Sequence, residues 1–336
     1  MQFTMKKFND MLINIVSSLS DGNCHSGNEL GLQLNVSRTA IWKQIKQLID
    51  IGVPIQRIPN RGYRLNCPMQ LLDEVAIRQQ LGAKNFNHPI NFHLFASLDS
   101  TNRLLRELPC SPEINICCAE MQTQGRGRFG RHWYSPFGEN IYFSSRWHFD
   151  CDLSHLSGLS LVVSLAIISM LNEIGIKDDV CVKWPNDILW HDKKLCGNLI
   201  EVIAESNSNA EVVIGIGLNV NSTIQAAPTQ TSPDKPWCSL YDITGRYINR
   251  NELIASLIIH LHNYLDDFIK NGFASFIKKW QQVDYLQGKM INVSHLSGLL
   301  NGVANGVNET GQLLLNDEKG LTHCLSSGDT SLHVRR

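Results

Sequence analysis

The sequence contains no C-x-x-C pair and no alternation of cysteine with histidine at zinc spacing, although its 336 residues include ten cysteines. These absences argue against a zinc ribbon or a disulfide framework, and the thiols read as reduced, most of them small core hydrophobes. Neither sign of charge is in excess, since 30 Lys and Arg stand against 31 Asp and Glu, so the whole-chain balance selects no partner. The longest apolar run, near 159–171, is interrupted by Ser160, Ser164 and Ser169 and is too short for a bilayer. The N-terminal stretch lacks the basic-then-apolar layout of a signal peptide, because Asp10 and Asn14 break it up. A cytoplasmic protein without membrane attachment is expected. No internal repeat, coiled-coil heptad or evident Ser-His-Asp set is present.

What is there is length enough for two or three domains, with 43% hydrophobic residues to bury. The charge that cancels overall is unevenly placed. Residues 1–66 carry eight basic side chains (Lys6, Lys7, Arg38, Lys43, Lys46, Arg57, Arg61 and Arg64) against four acidic, whereas the remainder carries 22 against 27. A small basic head on an acidic body suits an anionic partner for the head alone.

Within the head, Phe8, Met11, Leu12, Ile15, Val16 and Leu19 follow helical spacing. Ser26 or Asn28 caps a short helix to about Leu34, and Ser37 caps another over Arg38–Ile49 whose buried side is Ile41, Ile45, Leu48 and Ile49, ended by Gly52. Two short strands, Val53–Arg57 and Gly62–Leu65, follow around a tip of Pro59, Asn60, Arg61 and Gly62. This order is the winged helix-turn-helix plan.

After Pro68 a helical stretch, Leu71–Leu81, leads into alternating strand candidates and one strongly apolar helix, Leu156–Ile174. The strands are expected at Asn91–Ala96, Asn115–Met121, Asn140–Arg146, Val180–Trp184, Asp187–Trp190, Lys194–Ala204 and Glu211–Asn219. Most connections are short enough for antiparallel pairing, which makes the body a mixed α+β fold. Ser222–Pro236 reads as a mobile loop, and Asn251–Phe268 and Phe273–Val283 as amphipathic helices. From Gln287 short Gly-punctuated β runs, with turns expected at Asn301-Gly302, Asn305-Gly306 and Thr310-Gly311, suggest a small barrel-like β domain.

The most informative stretch is Gln122–Arg131, where Gly125, Gly127 and Gly130 satisfy G-x-G-x-x-G. A dinucleotide fold needs a helix immediately after those glycines, and here Pro136, Gly138 and a strand follow instead. Arg126, Arg128 and Arg131 alternate with the glycines, so backbone N–H groups and guanidinium forks suit a ligand carrying phosphate or carboxylate. A solvated basic loop or a nucleic-acid contact fits the same stretch taken alone. Lys183-Trp-Pro-Asn-Asp187 and Lys194-Leu-Cys-Gly-Asn-Leu-Ile-Glu201 add two cations and a carboxylate, and each alone fits an ordinary hairpin. Together they make an inventory for nucleotidyl transfer, in which cations neutralise triphosphate charge while a carboxylate holds Mg²⁺ or takes a proton.

G-R-G-R-x-G-R, K-W-P-N-D, K-L-x-G-x-L-x-E and G-x-G-L-N-V-N (Gly215–Asn221), in this order, resemble the biotin–protein ligase family, and the winged head resembles its bifunctional members, which also repress biotin synthesis genes. The resemblance implies an α+β fold with a winged helix-turn-helix over 1–66, a central mixed α/β catalytic domain over 67–285 and a C-terminal SH3-like β-barrel over 286–336. It implies a two-step reaction: biotin and MgATP form biotinyl-5′-adenylate and pyrophosphate, and a lysine of the biotin carboxyl carrier protein of acetyl-CoA carboxylase then displaces AMP. The adenylate-bound form is expected to meet the carrier or to dimerise and bind biotin operator DNA.

Residue by residue, the resemblance implies that Ser100, Thr101, Asn102 and Gln122 hold the biotin rings, whose ureido group needs both donors and acceptors. Asp99–Asn102 also reads as a helix N-cap, and both readings are compatible. Arg126, Gly127 and Arg128 imply the biotin-binding loop, with Arg128 and Arg131 near the phosphates and Lys194 bridging the biotin carboxylate and the α-phosphate. Lys183 and Asp187 complete the catalytic set, Asp187 serving either Mg²⁺ or the incoming lysine. Asn219 is expected beside the nucleotide, and Trp237 either covers the adenine or simply packs. Ordering of Gly125–Arg131 and Ser222–Trp237 shields the adenylate from water. In the head, Ser37, Arg38, Thr39 and Lys43, with Asn60 and Arg61 on the wing, are the expected DNA contacts, although such heads also serve as protein-interaction modules. Phe129 stands where the family often has Arg, and His333 where an Arg near the phosphates is common, so no catalytic role is carried to His333. A lipoate–protein ligase and a sensor–repressor without ligase activity remain the alternatives.

Overall fold

Ser26 and Ser37 each end an extended segment and accept a hydrogen bond from a backbone N–H of the turn that follows, at Glu29 and Ala40. Glu29 returns the bond to the Ser26 N–H, closing a capping box. The computed structural model describes residues 10–66, 69–109, 111–206, 209–223, 236–295 and 298–332. Its head contains α1 (Asp10–Leu19), α2 (Gly27–Gln33) and α3 (Arg38–Asp50), then an antiparallel hairpin of β1 (Ile55–Ile58) and β2 (Gly62–Leu65). The turn between α2 and α3 closes over Gly31, where a methyl group would lie 2.8 Å from the Val36 carbonyl oxygen. Leu12, Ile15, Val16, Leu19, Leu30, Ile41, Ile45 and Leu48 form the head's core. Ile49, expected in it, is exposed: at a helical period of about 3.6 it lies at the edge of the Ile41–Ile45–Leu48 stripe. Phe8 lies outside the described residues.

The body begins with α4 (Glu74–Ala83), three residues later than the apolar spacing suggests, because Asp73 is its N-cap. Ahead of that cap, the Leu72 N–H donates to Glu120 and the Leu71 carbonyl accepts from Asn251, so this backbone is not free to become helix. There follow β3 (Ile90–Phe95), α5 (Thr101–Glu107), β4 (Ile114–Ala119), β5 (Ile141–Phe149), α6 (Leu159–Glu173), β6 (Val180–Lys183), β7 (Asp187–Trp190), β8 (Lys193–Ser206), β9 (Asn209–Leu218), α7 (Leu240–Thr244) and α8 (Arg250–Asn271). The strands form one seven-stranded sheet in the order β3-β4-β5-β9-β8-β7-β6. Only β3 and β4 run parallel, with α5 between them in sequence, so the sheet is mixed as expected. The apolar character of α6 on nearly every side reflects its burial between the sheet and α8. On α5, Leu104 and Leu105 pack with Cys117, Ala119 and Val213 in a second, smaller core.

The expected helix Phe273–Val283 is instead a 3₁₀ turn, Phe273–Phe276, followed by the short α9 (Ile277–Gln281). A five-stranded antiparallel sheet then forms from β10 (Met290–His295), β11 (Gly298–Val307), β12 (Leu313–Asn316), β13 (Thr322–Leu325) and β14 (Asp329–Leu332), in the order β13-β12-β11-β10-β14. Asn301-Gly302 and Asn305-Gly306 are not turns. Both lie inside β11, where Gly302 stands opposite Ile291 and has no room for a methyl beside the Asn316 carbonyl, and Gly306 (φ 77°) sits in a bulge between Ala304 and Val307. Thr310-Gly311 does turn the chain, with Gly311 at φ 73° and its N–H donating to the Asn308 carbonyl.

Among the described residues the cysteines are all free thiols, and Cys117, Cys118, Cys196 and Cys238 are buried. Cys24, Cys151 and Cys181 are half-buried and Cys324 is exposed, so half of the described thiols lie in the core, and Cys67 and Cys110 lie outside the described residues. No helix of the described residues is long and apolar enough to cross a membrane.

Head and body share apolar contacts: Met69, Ala96 and Phe137 belong to the same core cluster as the head's helices. Next to them a fully buried ion pair, Arg250 to Glu120 at 2.6 Å, holds the connecting chain. Arg250 donates to the Gln70 and Asn140 carbonyls, and Glu120 accepts from the Leu72 N–H. The desolvation cost of both charges is offset by this full set of hydrogen bonds.

Candidate functional site

One cavity of about 580 Å³ opens where α5, the 122–134 loop, the β6–β7 turn, the start of β8 and the end of β9 converge. Its floor is polar and hydrogen-bonded. The first turn of α5 presents Ser100, Thr101 and Asn102, all nearly inaccessible to solvent. Ser100 occupies the N-cap position but its side chain makes no capping bond. Gln122 Oε1 accepts from the Thr101 N–H (2.9 Å) and from the Thr101 hydroxyl (3.1 Å), while Gln122 Nε2 donates to the Ser135 hydroxyl. From β5 the Ser144 hydroxyl lies 2.6 Å from Asn102 Oδ1 and 2.7 Å from Thr101 Oγ1. Asn102 Oδ1 rests directly on Gly215, where any side chain would overlap it. The glycines of Gly215–Asn221 thus make room for the floor.

The mouth is cationic. Arg126, Arg128, Arg131, Lys183 and Lys194 line it, against the carboxylates of Asp187 and Asp329. The loop folds back on itself: the Gly127 N–H donates to the Arg131 carbonyl and the Trp133 N–H to the Gly125 carbonyl, which pairs the backbones of Arg126 and His132 antiparallel. Phe129, at φ 56° and ψ 34°, adopts a left-handed conformation that a bulky residue seldom takes, and its ring lies under the Arg128 guanidinium. Arg128 donates to Asn186 Oδ1 at 3.4 Å, and burial lowers its pKa while Asp187 and Asp329 pull the other way. Arg126 pairs with Glu201 at 3.5 Å and Arg131 with Asp329.

Lys183 ends β6, and its Nζ donates to the Thr330 carbonyl at 2.5 Å. The cis Trp184–Pro185 peptide follows, and then Asn186, whose amide donates to the Asn198 carbonyl. Lys194 Nζ lies 2.6 Å from Asp187 Oδ1 and 5.2 Å from the centre of the Trp133 ring. The Lys194 backbone pairs with Trp237, through a bond from its N–H to the Pro236 carbonyl, and this places Trp237 in the lining. Asn219 also lines the cavity, but its amide nitrogen already donates to the Lys194 and Cys238 carbonyls. Among the described residues no group of three or more His, Cys, Asp and Glu could form a metal cage.

Every residue that the sequence suggested for the ligand pocket is therefore brought to one cavity. Trp133, Ser144, Asn186, Asp329 and Thr330 were not anticipated. Trp133 overlies Gly217, and the spacing of Gly215 and Gly217 was the signal available for it. Asp329 and Thr330 come from β14 and carried no local signal. His333 lies outside the described residues, as does most of the loop expected over 222–236.

In the head, Arg38, Thr39 and Lys43 are exposed on the first turns of α3, and Asn60 (φ 59°) and Arg61 are exposed at the hairpin tip. Ser37 is exposed too, but its side-chain oxygen is occupied by the Ala40 N–H at 3.2 Å. Lys46 and Trp42 extend the same face.

Residues 94–219 match the biotin/lipoate A/B protein ligase family, and residues 12–64 match a helix-turn-helix domain. The chain is 34% identical to the bifunctional ligase/repressor BirA of Salmonella typhimurium over 95% of its own length and 97% of that protein. It is 31% identical to the bifunctional ligase/repressor BirA of Bacillus subtilis, with 90% and 92% covered. Among solved structures, the biotin protein ligase from Aquifex aeolicus in complex with biotin and ATP superposes with a TM-score of 0.62 at 29% identity, covering 72% of this chain and 98% of that one.

Proposed function

Because the chain belongs to the family of bifunctional ligase/repressors, in which a helix-turn-helix domain accompanies a biotin ligase domain, we propose that it activates biotin with ATP, transfers it to a carrier-protein lysine and represses transcription in response to biotin. The observation that supports the catalytic half most directly is a single cavity with a hydrogen-bonding floor and a mouth of five cations. The floor suits a ureido ring, which needs both donors and acceptors, better than the dithiolane of lipoate. The mouth suits a carboxylate meeting a triphosphate.

In this reading Ser100, Thr101, Asn102 and Gln122 hold the biotin rings, and Arg126, Gly127 and Arg128 fold over the valeryl chain. Arg128, Arg131 and Lys183 face the phosphates, while Asn219 and Trp237 flank the adenine. Lys194 leaves Asp187 to stand between the biotin carboxylate and the α-phosphate, which lowers the repulsion between two anions as the carboxylate oxygen attacks phosphorus. Asp187, released from Lys194, orients the incoming lysine amine, whose attack on the mixed anhydride expels AMP. Mg²⁺ would enter on the nucleotide: two carboxylates are too few for a protein cage but sufficient for an ion held chiefly by phosphate and water, with Asp187 the carboxylate nearest the catalytic lysine. When bound, it would neutralise phosphate charge.

The division proposed is 1–66 for DNA, 67–285 for catalysis and 286–336 for a small β domain that lends Asp329 and Thr330 to the mouth. Ser37 caps the recognition helix, leaving Arg38, Thr39, Lys43, Asn60 and Arg61 to meet operator DNA. The carrier is the biotin carboxyl carrier protein of acetyl-CoA carboxylase, the DNA-binding form is the adenylate-bound homodimer, and the compartment is the cytoplasm.

The test is pyrophosphate release on mixing the protein with ATP and biotin, with lipoate as the comparison. Release with biotin and not with lipoate supports the reading, and no release with biotin removes it. For the second activity, operator binding that rises only when biotin and ATP are both present is the expected result.

A further inference from the structure

Glu201 takes no part in the proposed chemistry, yet its half-buried carboxylate sits at the junction of the ring-binding floor and the arginine loop. It lies on β8 opposite Val213, with 15% of its side chain exposed. Glu201 Oε2 accepts from Asn102 Nδ2 at 2.8 Å, and Oε1 lies 3.0 Å from Arg106 and 3.5 Å from Arg126. Asn102 is an amide, and its two ends differ: Nδ2 donates two protons and Oδ1 only accepts. Nδ2 faces β8, where it donates to Glu201 Oε2 and, at 3.4 Å, to the Leu199 carbonyl. Oδ1 is thereby turned the other way, onto Gly215 and beside the Ser144 hydroxyl. A carboxylate has no proton to give, so the opposite rotamer of the Asn102 amide would set oxygen against oxygen.

We infer that Glu201 is the positioning residue that makes Asn102 an acceptor toward the pocket and so selects ligands that bring N–H donors to its floor. The inference deepens the ligase reading and rests on it. A cyclic urea brings such donors, and a dithiolane brings none. The same carboxylate anchors Arg126, so filling of the floor and placement of the loop share one ion. Arg106, on the next turn of α5, offsets part of the charge that Glu201 brings into a half-buried place.

The test uses the full-length protein and compares wild type with Glu201→Gln and with the double variant Glu201→Gln/Asn102→Asp. The single variant keeps shape but lets the two amides meet in either orientation. The double variant restores a donor–acceptor pair with its polarity fixed, because an Asp at 102 can only accept. In biotin-dependent pyrophosphate exchange, the single variant raises the KM for biotin by about tenfold or more while the KM for ATP and kcat stay within about twofold. Desthiobiotin, which keeps the urea, suffers the same loss as biotin. The double variant recovers part of the biotin KM, which a merely structural role for Glu201 would not produce. An active wild type whose Glu201→Gln variant keeps its biotin KM, or whose ATP KM rises as much as that for biotin, overturns the inference alone. A wild type with no biotin-dependent exchange overturns the ligase reading and the inference with it.

Discussion

Lys194 reaches Asp187 by running its side chain across the Cα of Gly197. Asp187 stands opposite Gly197 in the β7–β8 ladder, and Lys194 opposite Leu189, so the two are not cross-strand partners. A methyl on residue 197 would lie 3.1 Å from both Cε and Nζ of Lys194. The glycine is what lets Nζ settle 2.6 Å from the carboxylate, at the centre of the cation-lined mouth.

Lys194→Ala is expected to lower the rate of adenylate formation by about 10²–10³-fold, the range seen when one donor to a developing charge is removed. Gly197→Ala should cause a smaller loss in the same step by displacing Nζ. Both are read as pyrophosphate released in a single turnover, and the idea fails if Lys194→Ala retains wild-type release.

Arg131 is paired with Asp329 of the C-terminal sheet, with half of its side chain exposed. Asp329→Ala removes a carboxylate from the mouth and leaves Arg131 freer to meet phosphate. Exposed pairs are worth roughly 0.2–1 kcal/mol, so the KM for ATP should fall by no more than about fivefold. The difference should shrink at high salt. A raised KM would show that Asp329 supports nucleotide binding instead.

Burial pushes the half-buried Glu139 carboxyl up to about 7, against the pull of Arg250. Its folded pKa is above its ordinary value of 4.5, so the folded state holds a proton that the unfolded chain releases. The associated stability is complete below about 4.5, declines as the pH rises through about 7, and is absent above it, with an upper bound of about 3 kcal/mol. Glu139→Gln should flatten this slope in urea denaturation curves collected across that window. An unchanged slope would place the pH dependence elsewhere.

In the head, Arg61→Ala should weaken operator binding and reduce the slope of log K against log salt by about one, as for a single lost phosphate contact. Ser37→Ala should act mainly on stability, costing about 1 kcal/mol through the lost cap on α3. Titrations at several salt concentrations and thermal melts separate the two. An unaltered salt slope in Arg61→Ala would remove the wing from the DNA interface.

Much of this molecule was legible in its one-dimensional text because the relevant physics is local. Helical spacing of Ile41, Ile45 and Leu48 follows from geometry within one helix, and capping by Ser26 and Ser37 from hydrogen bonds three residues long. The arginine loop and the two lysine-bearing segments announced a cationic, anion-handling site, because charge and glycine content need no partner to be read. Asn301-Gly302 misled because that dipeptide marks a tight turn and a close strand crossing equally well, and only the Asn316 carbonyl against Gly302 distinguishes them.

Sequence alone determined the class and order of most elements and the cationic, anion-handling character of the site; tertiary structure decided which charges face one another. Arg131 meets Asp329 across 198 residues and Asn102 meets Glu201 across 99. Such pairings depend on which strand lies beside which and in what register. A shift of one residue along β8 would turn Glu201 to the other face of the sheet. The direction in which Asn102 offers its oxygen is therefore a property of the folded sheet and has no counterpart in the order of the letters.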